Sequence, residues 1–101
     1  MAKRVVWTET ARKARRKILE YWIIRNRSKT YSQKLSVLFK EKIQLLATQN
    51  YVGKPTDFNE VRGTLVTHFT IFYKITSDQI IIVGIWDNRR NPNDLHKNLE
   101  L

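Results

Sequence analysis

Residues 80–92, IIIVGIWDNRRNP, constrain the fold of this chain more than any other stretch. Ile80, Ile81, Ile82 and Val83 run without alternation through Gly84 to Ile85 and Trp86. A β-branched run of this kind predicts a strand covered on both faces, at the centre of a sheet. The character then flips at once to Asp87, Asn88, Arg89 and Arg90, and Pro92 prevents continuation. Two guanidinium groups are therefore expected on a loop at the mouth of a rigid element, where binding groups concentrate.

A central strand needs neighbours, and the preceding residues supply them. From residue 61 onward the apolar period is two. Val61 to Thr67 is predicted as one strand and His68 to Ile75 as the next, with Thr76, Ser77 and Asp78 as the turn into the last. In the middle strand Phe69, Ile71, Tyr73 and Ile75 share one face, while Thr70, Phe72 and Lys74 share the other. Tyr73 is accordingly expected in the core, and His68 at a turn or strand edge.

Before residue 61 the period is helical. Lys3 to Trp7 is a short β-branched strand, and Thr8 or Thr10 is placed to cap a helix. Ala11, Ala14, Ile18, Tyr21 and Trp22 form its apolar stripe. Residues 26–30 (NRSKT) connect to a second helix starting at Thr30 or Ser32, with Leu35, Leu38, Phe39, Ile43 and Leu46 on one face and Asn50, Gly53 and Pro55 ending it. The expectation is one α+β domain over residues 1–101. Its order is β-α-α-β-β-β, a helical hairpin packed on a four-stranded, mainly antiparallel sheet.

Charge narrows the function. The chain carries 19 Lys+Arg against 9 Asp+Glu, a net +10. Residues 1–30 hold ten basic and two acidic side chains, so most of the excess sits in the first third, on and around Arg12, Arg15 and Arg16. A field of that sign favours phosphates or an acidic protein partner. With no cysteine, thiolate metal sites, disulfides and cysteine nucleophiles are excluded. Two histidines far apart in sequence argue against zinc, and no cofactor is expected. No apolar run approaches the roughly 18 residues of a membrane span, and residues 1–7 lack a signal-peptide core, which predicts a cytoplasmic protein without membrane contact.

The segment VVWTETARK, the helical hairpin, and then RGTLVTHFTIFYKITSDQIIIVGIWDNRRNP together resemble the RelE/ParE toxins of bacterial type II toxin–antitoxin systems. The resemblance covers nearly the whole chain, and FTIFYK and WDNRR are its most specific parts. It implies a plasmid-stabilisation-type toxin that inhibits growth and is neutralised by a cognate antitoxin. One branch of the family cleaves messenger RNA on the ribosome; the other, ParE-like, poisons DNA gyrase.

Metal-free RNA cleavage needs a base, an acid and cations around the phosphorane. Arg62, Arg89 and Arg90 are the candidate phosphate clamps, because guanidinium binds phosphate bidentately and stays charged. Each also has an ordinary alternative, as surface charge or in an ion pair with Asp87. His96 lies in the tail, where RNA-cleaving members place a catalytic Tyr or His, and is the candidate general acid or base. The main departure is Thr70, since ribonuclease members usually carry an arginine there. They also place lysines just before the Arg62 region, where this chain offers only Lys54, with Asp57 and Glu60 intervening. Arg12, Arg15, Arg16, Lys54, Arg62, Arg89 and Arg90 are the expected contacts to nucleic acid or partner. The residues favour a ParE-like gyrase inhibitor. The alternatives are a RelE-like ribosome-dependent endoribonuclease using Arg62, Arg89, Arg90 and His96, and a basic nucleic-acid-binding module without toxicity.

Overall fold

In the computed structural model, which describes residues 2–90 together with 94 and 95, the chain forms two helices laid on one face of a mixed sheet. Strand β1 (Arg4–Trp7) runs straight into helix α1 (Glu9–Asn26). Thr8 sets that junction. Its backbone is extended, its Oγ1 accepts from the Ala11 N–H at 3.1 Å, and its own N–H donates to the Ile82 carbonyl at 3.0 Å. Of the two capping threonines the sequence offers, Thr8 therefore starts the helix. Arg27 ends it in the left-handed region, φ 51°. There the Ser28 N–H reaches the Ile23 carbonyl and the Arg27 N–H reaches the Ile24 carbonyl, the paired bonds of a Schellman end.

Helix α2 (Thr30–Thr48) returns antiparallel. Ser32 Oγ donates to the Leu19 carbonyl at 3.0 Å and an Arg15 Nη donates to Ser36 Oγ at 2.8 Å, so polar bonds as well as apolar faces join the hairpin. Tyr21, expected on the buried stripe, is half exposed at 51%, because Ile18, Leu19 and Trp22 take the part of the helix that packs against the core.

The sheet has five strands where four were expected, in the order β1-β5-β4-β3-β2. The extra one is β2 (Lys54–Pro55), two residues long, too short to carry a periodic signal. It is followed by β3 (Arg62–Val66), β4 (Phe69–Ile75) and β5 (Gln79–Asp87). Thr67 and His68 lie in the two-residue turn between β3 and β4 rather than in the strands. β5 is flanked by β1 in parallel and β4 antiparallel, as its sequence demands of a central strand.

Both faces of β5 are covered. Ile80, Ile82 and Ile85 face the helices with Phe69, Ile71 and Tyr73. Val83 and Trp86 face the other way, with Val61, Phe72, and flanking Phe58, Ile81 and Leu95. Strict alternation from Ile80 would put Trp86, not Ile85, toward the helices. The register resolves this: Tyr73 pairs Ile82 and Phe72 pairs Gly84, leaving Val83 as an extra residue without a partner on β4. That β-bulge shifts the phase by one residue.

Candidate functional site

The end of the sheet where β5 exits gathers chemistry on both faces. Asp87 is the last residue of β5 and pairs Phe69, the first of β4. Its carboxylate accepts from the Arg89 backbone N–H at 2.9 Å. It also takes Arg89 in a bidentate pair, Nε to Oδ1 at 3.1 Å and an Nη to Oδ2 at 2.9 Å. The side-chain bond from Arg89 is the main reason the Asp87 carboxyl is held below its ordinary range; partial burial opposes it. The same bond raises the Arg89 guanidinium, which stays charged throughout. Arg89 therefore takes the ion-pair role its neighbour permits, with its guanidinium fixed in plane rather than free to sweep.

The two arginines part company across the sheet. Arg89 sits over the Trp22 ring on the helix side, with its Cζ 5.4 Å from the centroid, whereas Arg90 sits 4.9 Å over Trp86 on the opposite side. Trp22 is the hub on the helix side. It packs edge-on against Tyr21 at 5.2 Å, Tyr31 at 4.8 Å and His68 at 6.1 Å, and Arg25 lies 5.5 Å from its centroid. His68 in turn leans on Phe69 at 4.2 Å, and its Nε2 is buried without a hydrogen-bond partner. Beside this cluster opens a groove of about 420 Å³, lined by residues of α1, Phe69, Asp87, Arg89 and Arg90.

On the outer face, Thr70 pairs Trp86 across the strands and its hydroxyl donates to Asn88 Oδ1 at 2.9 Å. The position that could have supplied a further cation instead fastens the turn after β5.

Arg62 does not join this site. It pairs Tyr73, which pairs Ile82, so it stands at the far end of β3 from the Asp87 row. Four residues along the strand and two strands across place the two ends roughly 16 Å apart, at ~3.3 Å per residue and ~4.8 Å between strands. There Arg62 donates to the carbonyls of Gly53 and Tyr51 and stacks on Tyr51 at 5.1 Å. It lines a separate cavity of about 550 Å³ that also holds Asp57 and Glu60. Lys54 is near it, paired with Gly63. His96 lies outside the described residues.

The basic face of α1 forms a third surface. Arg12 and Arg15 rim a groove of about 430 Å³ between the helices and β1, floored by Val5, Trp7, Phe39 and Ile43 and closed by Lys40. Arg12 and Arg16, both exposed, also border a shallower depression next to Trp7. Sequence reasoning missed the cluster around Trp22. The signal was present: Ile18, Tyr21, Trp22 and Arg25 recur at i, i+3, i+4 and i+7, one helical face that runs from apolar to cationic.

Two helices on one face of a mixed sheet, with one arginine on either face at the strand exit, make a small basic α+β fold. The family described as ParE toxin of type II toxin-antitoxin system, parDE, matches residues 5–92, and the chain belongs to it. Solved structures agree on the fold. A structure described as the chromosomal ParDE TA system from P. aeruginosa superposes with a TM-score of 0.72 at 17% identity, covering 83% of this chain and 94% of that one. The toxin-antitoxin complex RelBE2 from Mycobacterium tuberculosis gives a TM-score of 0.62 at 15% identity, covering 86% and 92%. No curated protein matches the chain in sequence. Among the described residues, no helix is long and apolar enough to cross a membrane.

Proposed function

We propose that this toxin is a ParE-like, non-hydrolytic inhibitor of DNA gyrase, acting in the cytoplasm and held inactive by a cognate antitoxin. The observation that carries the reading is Thr70. Where the ribonuclease branch presents an arginine beside the scissile phosphate, this chain presents a hydroxyl already donated to Asn88 at 2.9 Å. Losing one preorganised charge donor costs an acyl- or phosphoryl-transfer centre about 3–4 kcal/mol of transition-state stabilisation. Arg62 does not compensate, being bonded to the Gly53 and Tyr51 carbonyls at the opposite end of β3.

The antitoxin reading rests on charge and shape. The groove beside β1 has an apolar floor and an arginine- and lysine-bearing rim, which suits an acidic amphipathic segment. The P. aeruginosa and M. tuberculosis structures carry toxin-antitoxin pairs in their descriptions.

Two measurements on induced cells test the target. Relaxed or cleaved plasmid DNA with intact transcripts is the expected result, together with inhibition of supercoiling by purified gyrase. Cuts in messenger RNA at defined codon positions with normal supercoiling would overturn the reading in favour of the ribonuclease.

A further inference from the structure

The cavity around Arg62 stands at the opposite end of β3 from the strand exit and serves none of the roles assigned above. Its volume of about 550 Å³ falls in the range of small-ligand clefts, roughly 300–1,000 Å³. In a chain of net charge +10 it is lined by two carboxylates, Asp57 and Glu60, and one guanidinium, Arg62. Among the described residues none of these three is in an ion pair, with each other or with any other group.

Arg62 has unused donors. One Nη serves the Gly53 and Tyr51 carbonyls, while Nε is buried without a hydrogen-bond partner. A half-buried guanidinium that meets no anion is costly, and a carboxylate brought by a ligand offsets that cost. The loop carrying the two acids is held before any ligand arrives. Thr56 donates its hydroxyl to the Val61 carbonyl at 2.7 Å and accepts from the Phe58 N–H at 3.2 Å, and its own N–H closes on the same Val61 carbonyl at 3.1 Å. Glu60 turns the loop with φ 61°. The lining also offers fixed apolar surface. The Tyr51 ring lies under the Arg62 guanidinium at 5.1 Å, Phe58 is edge-on to Phe72 at 6.3 Å, and Ile75 adds an aliphatic wall.

Opposite charges that share one cavity without touching select a ligand that carries both. The two carboxylates repel a phosphate or any other polyanion, and Arg62 repels a simple cation. We propose that this cavity binds a free α-amino acid with an apolar side chain. Its carboxylate lies on Arg62, its ammonium faces Asp57 and Glu60, and its side chain rests against Tyr51, Phe58 and Ile75. The claim is independent of the gyrase reading, and its assay measures no toxicity.

The test is a calorimetric titration of the full chain with L-phenylalanine and L-leucine, alongside thermal denaturation. Both should bind and raise the thermal midpoint with concentration. Hydrocinnamate lacks the ammonium and phenethylamine lacks the carboxylate. Each should bind roughly ten-fold or more weakly than phenylalanine, the range of a lost charge-assisted hydrogen bond. Because Arg62 also holds two backbone carbonyls, the exposed acids supply the decisive variant. Asp57→Asn combined with Glu60→Gln should keep the parent's midpoint without ligand and bind phenylalanine no better than hydrocinnamate. Absence of heat and of a midpoint shift with both amino acids at millimolar concentration would overturn the proposal. Equal affinity of the parent for phenylalanine and hydrocinnamate would reduce the cavity to an anion site, and equal affinity for phenylalanine and phenethylamine to a cation site; either result overturns it. Undiminished phenylalanine binding in the double variant would place the ammonium elsewhere and overturn it equally.

Discussion

Replacing Tyr73 by phenylalanine tests how the loop before β2 is held to the sheet. Tyr73 is fully buried in the middle of β4, and its hydroxyl serves two backbone groups at once. It donates to the Asn50 carbonyl at 2.9 Å and accepts from the Gly53 N–H at 3.1 Å. The phenylalanine ring fills the same space, so the loss is polar. A buried group left without a partner costs about 1–3 kcal/mol. Gly53 is buried and loses the acceptor of its N–H; Asn50 is half-buried, and water can reach its carbonyl. The combined cost should be about 2–3 kcal/mol, which lowers the thermal midpoint of a domain this size by roughly 10–20 °C. Urea denaturation should show a reduced midpoint with an unchanged m-value. A loss below about 0.5 kcal/mol would mean that the two backbone groups are satisfied elsewhere, and the account of the loop would fail. A second variant sharpens the reading. A Cβ on Gly53 would stand 2.6 Å from the Tyr73 hydroxyl and 2.7 Å from the Gly63 carbonyl, so Gly53→Ala should destabilise strongly. In the Tyr73→Phe background the hydroxyl clash vanishes, while those with the Gly63 carbonyl and with the ring Cε1, at 2.9 Å, remain. The double variant should lose less than the two singles together, and strict additivity would show that Gly53 and Tyr73 do not meet.

Three further outcomes follow from the site end of the sheet. Trp86→Ala should cost about 3–5 kcal/mol in urea denaturation, because Trp86 is 4% exposed and anchors the outer cluster; an unchanged midpoint would place the ring on the surface. Asp87 has a folded-state pKa below its ordinary 3.8, so its contribution to stability is complete above that value and is lost as pH falls through the lower folded one. Asp87→Asn should therefore flatten the fall of the urea midpoint as pH drops below the ordinary carboxylate range, and parallel pH profiles for parent and variant would refute the pairing with Arg89. Arg89→Ala combined with Arg90→Ala should reduce growth inhibition without lowering the thermal midpoint by more than a few degrees, since both residues are exposed. Full toxicity in that double variant would remove the strand exit from the functional surface.

The parts of this molecule that the sequence makes legible are those decided by period and composition. The unbroken run from Ile80 implies a strand buried on both faces, and its neighbours β1 and β4 with the two apolar clusters bear that out. The alternation of Phe69, Ile71 and Tyr73 against Phe72 holds residue for residue. What period cannot reveal is register. Arg62, Arg89 and Arg90 look like one cationic set in the sequence, but whether they meet depends on which residue of β3 stands opposite which of β4. The pairing of Arg62 with Tyr73 sends it to the far end. The β2 strand escapes notice because two residues, one of them proline, show no alternation. The cluster around Trp22 was readable as a helical face, but its meaning depends on Arg89 arriving from a strand more than sixty residues later.

The bulge at Val83 decides more than local packing. With regular alternation from Ile80, odd positions would face outward and Asp87 would lie on the face away from the helices. The extra residue reverses the phase, so Ile85 enters the helix-side core, Trp86 covers the outer one, and Asp87 turns toward α1. Asp87 then fixes Arg89 through its two-oxygen grip, which is why that guanidinium reaches Trp22. Arg90, one residue on, falls to the other side and finds Trp86. One unpaired residue in the middle of the central strand thus assigns one cation to each face of the sheet. A shift of the bulge by one position would exchange the faces of the residues between. The glycine that follows Val83 fits this role, because a residue without a side chain accommodates the bend where phase is reversed. The unalternating apolar run that marks β5 as central is therefore also what makes the bulge tolerable. With isoleucine and valine on both sides of the strand, either phase buries apolar surface, and the phase is chosen by what the exit must deliver.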